Sequence, residues 1–264
     1  MKKLLITGAA GGLGQLLLEP LGQLADSLRL TDIVDASDRA QGHEFIRGDL
    51  ADAAFVDAAV AGCDGILHLG GISVEDQFEK ILSANIAGLN NLYVAAQRHG
   101  QPRIIFASSN HTIGFHPSGA RLDVHSPTRP DSFYGVSKCF GESLASMYYE
   151  KTGQQTALVR IGSCVPKPLD IRMLSTWLSP RDFIDLIARI FAVDTLGCPI
   201  IYGASANGQG WWDNRHVDWL GWHPQDDGET FRSEIEARTS AADRAELLIH
   251  QGGRFVTAPL PHLS

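Results

Sequence analysis

The chain is poor in several residues that announce common protein classes. It has four cysteines in 264 residues. Cys63, Cys139, Cys164 and Cys198 are scattered, with no Cys-x-x-Cys and no His/Cys cluster. That excludes a disulfide framework and a zinc site of the usual spacing, and predicts reduced thiols. Basic residues are the minority, 22 Lys plus Arg against 30 Asp plus Glu, for a net charge of -8. Such a balance speaks against nucleic acid or an anionic membrane as a partner, while leaving room for a local basic pocket that holds a carboxylate. No apolar run approaches the ~20 residues that span a bilayer. Leu4-Leu5-Ile6 after Met1-Lys2-Lys3 is cut off by Thr7-Gly8, too early for a signal-peptide core. Repeats and low-complexity segments are also lacking. The expectation is a cytoplasmic protein.

What is present is a 44% apolar fraction, enough for one α/β domain with a small appended lobe. Short apolar runs alternate with helix-compatible segments. Strands are predicted at Leu4–Thr7, Leu28–Asp32, Phe45–Arg47, Ile66–Leu69, Arg103–Ala107 and Thr156–Ile161. Helices are predicted at Leu13–Leu24, Gln77–His99, Ser132–Thr152 and Pro180–Val193. The strands are apolar without alternation, as expected where helices cover both faces of a parallel sheet. Repeated βα units predict a doubly wound α/β fold. After Gly162 the pattern loosens. Residues 1–162 are therefore expected to form the nucleotide-binding core, and 163–264 a smaller substrate-binding lobe packed on it in one compact unit. Trp211, Trp212, Trp219 and Trp222 fall in that second part, where core packing is favoured over a sugar platform.

The first strand runs into Gly8-Ala9-Ala10-Gly11-Gly12-Leu13-Gly14. Glycine is needed where the backbone turns sharply and approaches a pyrophosphate, and the following helix N-terminus offers free N–H groups. An ordinary tight turn is the alternative, but the position between strand and helix favours a dinucleotide. Asp32 ends the second strand about 20 residues on, where an acid binds the adenosine ribose hydroxyls. Its charge would repel a 2′-phosphate, so NAD is expected over NADP. Asp49 could contact adenine, or serve its own turn.

Tyr134 and Lys138 stand at i and i+4, one helical turn apart. A phenol with a pKa near 10 is a poor base unless neighbouring positive charge stabilises the phenolate. Alone, such a pair is more often a helix-surface feature. Ser108 and Ser109 close the fifth strand at the carboxyl edge of the sheet, where doubly wound folds bind ligands. Tyr134 as proton acceptor, Lys138 as its support and Ser109 as the group orienting the reacting oxygen make a coherent set.

Gly8-x-x-Gly11-x-x-Gly14, Asp32, Gly48-Asp49-Leu50, Ser109 and Tyr134-x-x-x-Lys138 resemble the extended short-chain dehydrogenase/reductase family, as does Leu220-Gly221-Trp222-His223-Pro224. The resemblance implies a Rossmann fold, bound NAD and a Ser-Tyr-Lys mechanism. It implies cofactor contacts at Gly8, Gly11, Gly12, Leu13, Gly14, Asp32, Asp49, Leu50, Tyr134 and Lys138. Ser108–Gly114, Arg160–Cys164, Arg172, Ser175–Ser179 and Trp211–Asn214 are similar to segments of bacterial uronate dehydrogenases. That likeness implies a sugar-acid pocket formed by Ser73, Ser109, Asn110, His111, Tyr134, Ser163 and Arg172, with no metal, and a homo-oligomer. Arg172 suits bidentate carboxylate binding, although exposed arginine in a loop is common. Asn110 and His111 could reach sugar hydroxyls or bond within their loop. The expected activity is NAD-dependent oxidation of galacturonate or glucuronate at C1 to an aldarolactone. Two rivals are an NAD-dependent sugar or nucleotide-sugar epimerase and a non-catalytic NAD-binding regulatory module.

Overall fold

A computed structural model describes residues 1–261. Seven parallel strands form the main sheet: β1 (Lys3–Thr7), β2 (Ser27–Asp32), β3 (Glu44–Arg47), β4 (Gly65–His68), β5 (Arg103–Ser109), β6 (Thr156–Ile161) and β9 (Ile200–Gly203). Their spatial order is β3-β2-β1-β4-β5-β6-β9. The order reverses between β1 and β4, so a crevice opens at the carboxyl ends of these two strands. Register aligns those ends: Thr7 stands beside both Thr31 and His68, and Ser109 beside Ile161. A two-stranded ribbon, β7 (Ser163–Cys164) with β8 (Trp177–Leu178), lies outside this sheet.

Both faces of the sheet are buried, which explains the unbroken apolar runs. Leu4 and Ile6 enter one core with Leu17, Leu18 and Leu21 of α1 (Gly12–Leu21). Leu5 points the other way, into a second core with Val56 of α2 (Ala53–Val60) and Leu89 and Leu92 of α4 (Gly88–Arg98). Leu4 and Leu5 are fully buried, and side chains so removed from water each contribute roughly 1.5–3 kcal/mol.

Most predicted elements stand within a few residues of their observed bounds. The exception is 77–99. It is broken into a short helix α3 (Phe78–Ile81), a π-helical turn (Leu82–Ala87) and α4. The wide turn carries Asn85, whose amide exchanges hydrogen bonds with the backbone of Ile72 and donates to Ser137. An insertion of this kind often marks a functional region of a helix.

Helix α5 (Phe133–Thr152) begins at Ser132, whose hydroxyl accepts from the Gly135 N–H. That cap puts Tyr134 in the first turn and Lys138 one turn further in. Past residue 162 the chain first adds α6 (Met173–Thr176) and α7 (Pro180–Ala192), the latter started by Ser179 with Pro180 at its first position. Phe183, Leu186, Ile187 and Ile190 of α7 join the core shared with α1, and β9 extends the sheet beside β6. Two short helices follow, α8 (Arg232–Arg238) and α9 (Ala241–Leu247). Trp211 and Trp222 are buried and Trp219 is half exposed. None of the four tryptophans lines the main cleft. Among the described residues no helix is long and apolar enough to cross a membrane.

Candidate active site

A cleft of about 870 Å³ lies along the carboxyl ends of β1, β2, β4, β5 and β6. Its size is that of a small-molecule or cofactor site. One end is made of backbone. Gly8 has φ +71°, and a Cβ there would stand 2.7 Å from the Gly70 nitrogen. A Cβ on Gly14 would stand 2.6 Å from the Gly8 carbonyl oxygen. Only glycine lets this turn pack against the loop after β4 and against the start of α1. Gly11, at the N-cap of α1, provides no side-chain cap, so the first-turn N–H groups face the cleft with their dipole. Asp32 is fixed by two backbone donors, Ala10 N–H to Oδ2 and Val34 N–H to Oδ1, each 3.0 Å. Gly12, Leu13, Asp49 and Leu50 also line this end. Asp49 accepts from the Ala51 N–H at 2.9 Å, so it serves its turn as well as facing the cleft.

The other end is made of side chains. Ser73, Ser109, Asn110, His111, Tyr134 and Lys138 line it. Tyr134 and Lys138 are buried, and the Lys138 ammonium sits 5.5 Å from the Tyr134 ring centre and 4.8 Å from that of Phe106. Burial pushes the Tyr134 phenol up to about 12, with the Ser109 hydroxyl working in the opposite direction. Burial also pulls Lys138 down to about 8. The phenol of the protein alone, without the nicotinamide's charge beside it, is thus harder to ionise than a free one. The physical reason is desolvation of the phenolate, to which the nearby Asp131 charge adds and which the Ser109 hydrogen bond only partly offsets. Ser108, beside Ser109, is turned away. Its hydroxyl donates to Glu142 at 2.6 Å, and Arg160 grips the same carboxylate through Nε and Nη2.

Ser163 and Arg172 do not line the cleft directly. They lie behind its wall, one and ten residues past Gly162, which does. Arg172 is buried, donating through Nη1 to the Gln251 carbonyl at 2.9 Å and through Nη2 to Ser163 at 3.3 Å. Among the described residues it has no carboxylate within ion-pair distance, and burial lowers its pKa. Exchanging the near-identical oxygen and nitrogen of the Asn110 amide lets its nitrogen donate to the carbonyls of Ile161 (3.2 Å) and Gly162 (3.3 Å).

A family model, "NAD dependent epimerase/dehydratase family", matches residues 4–168. The chain belongs to this family. It is 57% identical over 261 residues to the uronate dehydrogenase of Agrobacterium fabrum, covering 98% of each. It is similar to a crystal structure of a uronate dehydrogenase mutant from Agrobacterium tumefaciens complexed with NAD, with 56% identity, 98% of each chain and a TM-score of 0.96. It is also similar to the crystal structure of a glucuronic acid dehydrogenase from Chromohalobacter salexigens, with 53% identity, 100% of this chain, 99% of that one and a TM-score of 0.96.

Within this family member, four residues at the site escaped the sequence reading. Asn85 ties the loop after β4 to α5. Glu75, in that loop, accepts the Tyr134 N–H at 3.1 Å, while its Oε1 is buried without a partner. Asp131 Oδ2 stands 2.8 Å from His111 Nδ1. Gln251 holds Arg172 through its carbonyl, and its side chain accepts from Trp212 and donates to Ala120. Asp131 and Gln251 lie 20 and 79 positions from the partners they hold, so no local motif marks them.

Proposed function

We propose that this protein oxidises a hexuronic acid, galacturonate or glucuronate, at C1 with NAD, giving an aldarolactone. The observation that carries the reading is the order of groups along one cleft. A glycine cradle and a ribose-binding acid come first, then Ser109, Tyr134 and Lys138, and behind the wall at that end stands buried Arg172, which among the described residues has no carboxylate within ion-pair distance. The full-length likeness to uronate dehydrogenases supports the same reading.

The residues present fit NAD. The space a Cβ would fill at Gly8 and Gly14 is occupied by neighbouring backbone, while Gly12 opens to free space. Gly8, Gly11, Gly12, Leu13 and Gly14 would hold the pyrophosphate against α1, Asp32 the ribose, and Asp49 and Leu50 the adenine side. NAD, when bound, supplies the hydride acceptor and a positive charge beside the phenol.

The protein's own groups do the rest. Tyr134 takes the proton of the anomeric hydroxyl as the C1–H bond gives up its electron pair and the C1 carbonyl of the lactone forms. Lys138 keeps a positive charge beside the phenolate. Ser109 orients the reacting oxygen. Ser73, Asn110, His111 and Ser163 position the sugar hydroxyls. Arg172 takes the C6 carboxylate through two parallel charge-assisted bonds, fixing which end of the sugar meets Tyr134. Part of 163–264, the ribbon, α6 and the segment through Gln251, serves as the substrate lobe. The protein works as a homo-oligomer, a reading supported by the exposed Val136 and Met147 along one side of α5 and checked by light scattering.

The test follows NADH absorbance with galacturonate, glucuronate, the parent hexoses and UDP-sugars. NADH accumulation with the uronates, and little with the others, is expected. UDP-sugar isomerisation without net NADH would replace this reading with epimerisation.

A further inference from the structure

His111 is confined on three sides. Its ring stacks on Phe255 with centroids 3.8 Å apart, and meets Tyr134 edge-on at 5.7 Å. Its Nδ1 faces Asp131 Oδ2 at 2.8 Å. Among the described residues Nε2 has no hydrogen-bond partner, and the residue lines the cleft. The Asp131 side chain is fully buried. A Cβ at either Gly114 or Gly252 would overlap its carboxylate, so two chain segments close over it. This carboxylate contacts no solvent and does not line the cleft. Its direct side-chain partners are His111 and the hydroxyl of Ser132.

We propose that Asp131 is a positioning residue that holds the proton of His111 on Nδ1, so that Nε2 meets the substrate as a hydrogen-bond acceptor for a sugar hydroxyl. A carboxylate can only accept, so Nδ1 must donate. The second imidazole nitrogen of a neutral ring is then left with its lone pair. A sugar hydroxyl donates to that lone pair, whereas an ether or a carboxylate oxygen in the same place would face it unpaired. His111 thereby distinguishes hydroxyl from non-donor, a discrimination a fixed polar site makes well. The identity of the sugar rests on the uronate reading above, but the proton's location does not.

Asp131→Asn makes a specific prediction. The Ser132 oxygen already accepts from the Gly135 N–H at 2.9 Å, and its hydroxyl donates to Asp131 Oδ1 at 2.9 Å. An asparagine keeps that bond by turning its carbonyl oxygen to Ser132. Its NH₂ then faces His111 Nδ1 and drives the ring proton to Nε2. The substrate hydroxyl would meet a donor where it needs an acceptor.

The experiment is nitrogen-15 NMR of the histidine rings in the NAD-loaded protein without sugar, with the His111 signals assigned by their loss in His111→Gln. Wild type should carry its proton on Nδ1. Asp131→Asn should carry it on Nε2, with uronate kcat/KM lower by on the order of 100-fold and NAD affinity unchanged within about twofold. A wild-type proton on Nε2 overturns the proposal, and this reading needs no variant to fold. Asp131→Asn with unaltered tautomer or unaltered kcat/KM overturns it too. A wild type that oxidises no uronate would instead defeat the substrate assignment, leaving the tautomer result to stand or fall by itself.

Discussion

The two ends of the cleft are built on different plans. The cofactor end is mostly backbone: a glycine turn, a helix N-terminus and Asp32 within residues 8–32, with Asp49 and Leu50 beside them. The sugar end is side chains drawn from five distant stretches around Ser73, Ser109–His111, Asp131–Lys138, Ser163–Arg172 and Gln251–Phe255. A backbone site needs few particular side chains and tolerates change around it. A side-chain site depends on each partner holding the next, as Gln251 holds Arg172 and Asp131 holds His111. Substitutions at the first end should therefore change affinity for nucleotide and leave chemistry alone. At the second end they should change chemistry or substrate choice and leave nucleotide affinity alone.

Tyr134→Phe should break this symmetry most visibly. It keeps the ring and removes the proton acceptor, so kcat should fall by roughly 10²–10⁴-fold while NAD affinity, read by calorimetry, stays near wild type. Near-native turnover would show that another group is the base.

The next effect is in pH. The productive form pairs ionised Tyr134 with protonated Lys138. In the protein alone the phenol stands near 12 and the ammonium near 8; with the phenol still above 8 beside NAD, the fraction in that form rises with pH until Lys138 begins to lose its proton. Below 8 the phenolate fraction climbs about tenfold per unit. Above 8 that gain is offset by the loss of ammonium. Uronate kcat/KM should thus rise from pH 6 to 8 and level off beyond. A profile flat from 6 to 8 would mean that ionisation of Tyr134 is not part of the step.

The smallest effect belongs to the backbone end. Asp32→Ala removes a charged acceptor for the ribose hydroxyls, a loss of roughly 1.5–3 kcal/mol for one such bond. NAD should bind about tenfold or more weakly, with a narrower gap to NADP and little change in kcat. Equal use of NAD and NADP by the wild type would contradict the role given to Asp32.

The same division governs what the sequence made legible. The glycine turn, Asp32 and the Tyr134/Lys138 pair are local patterns, and six of the seven sheet strands are apolar runs that periodicity detects. Strand β9 is not legible because Ile200–Gly203 falls past Gly162, where the alternation of apolar runs with helical segments loosens and no βα pattern frames it. The π-helical turn went unseen because an apolar helical period survives across it. Asp131, Gln251 and Phe255 carry no motif, since their meaning lies in partners brought close only by the fold. The phenol's upward shift was missed for a related reason: spacing shows the ammonium, but burial is a property of the packed molecule.

The most direct test of the proposal that Arg172, behind the sugar end of the cleft, takes the substrate carboxylate is kcat/KM for a uronate and for its parent hexose, in wild type and in Arg172→Ala. The wild type should prefer the uronate. The variant should lose on the order of 100-fold with the uronate, since two charge-assisted hydrogen bonds vanish, and change little with the hexose, which never used the guanidinium. Arg172→Lys should fall between, keeping charge without the fork. An equal fall for both sugars would make Arg172 a packing residue, and a wild type without preference for the uronate would contradict the sugar-acid assignment itself.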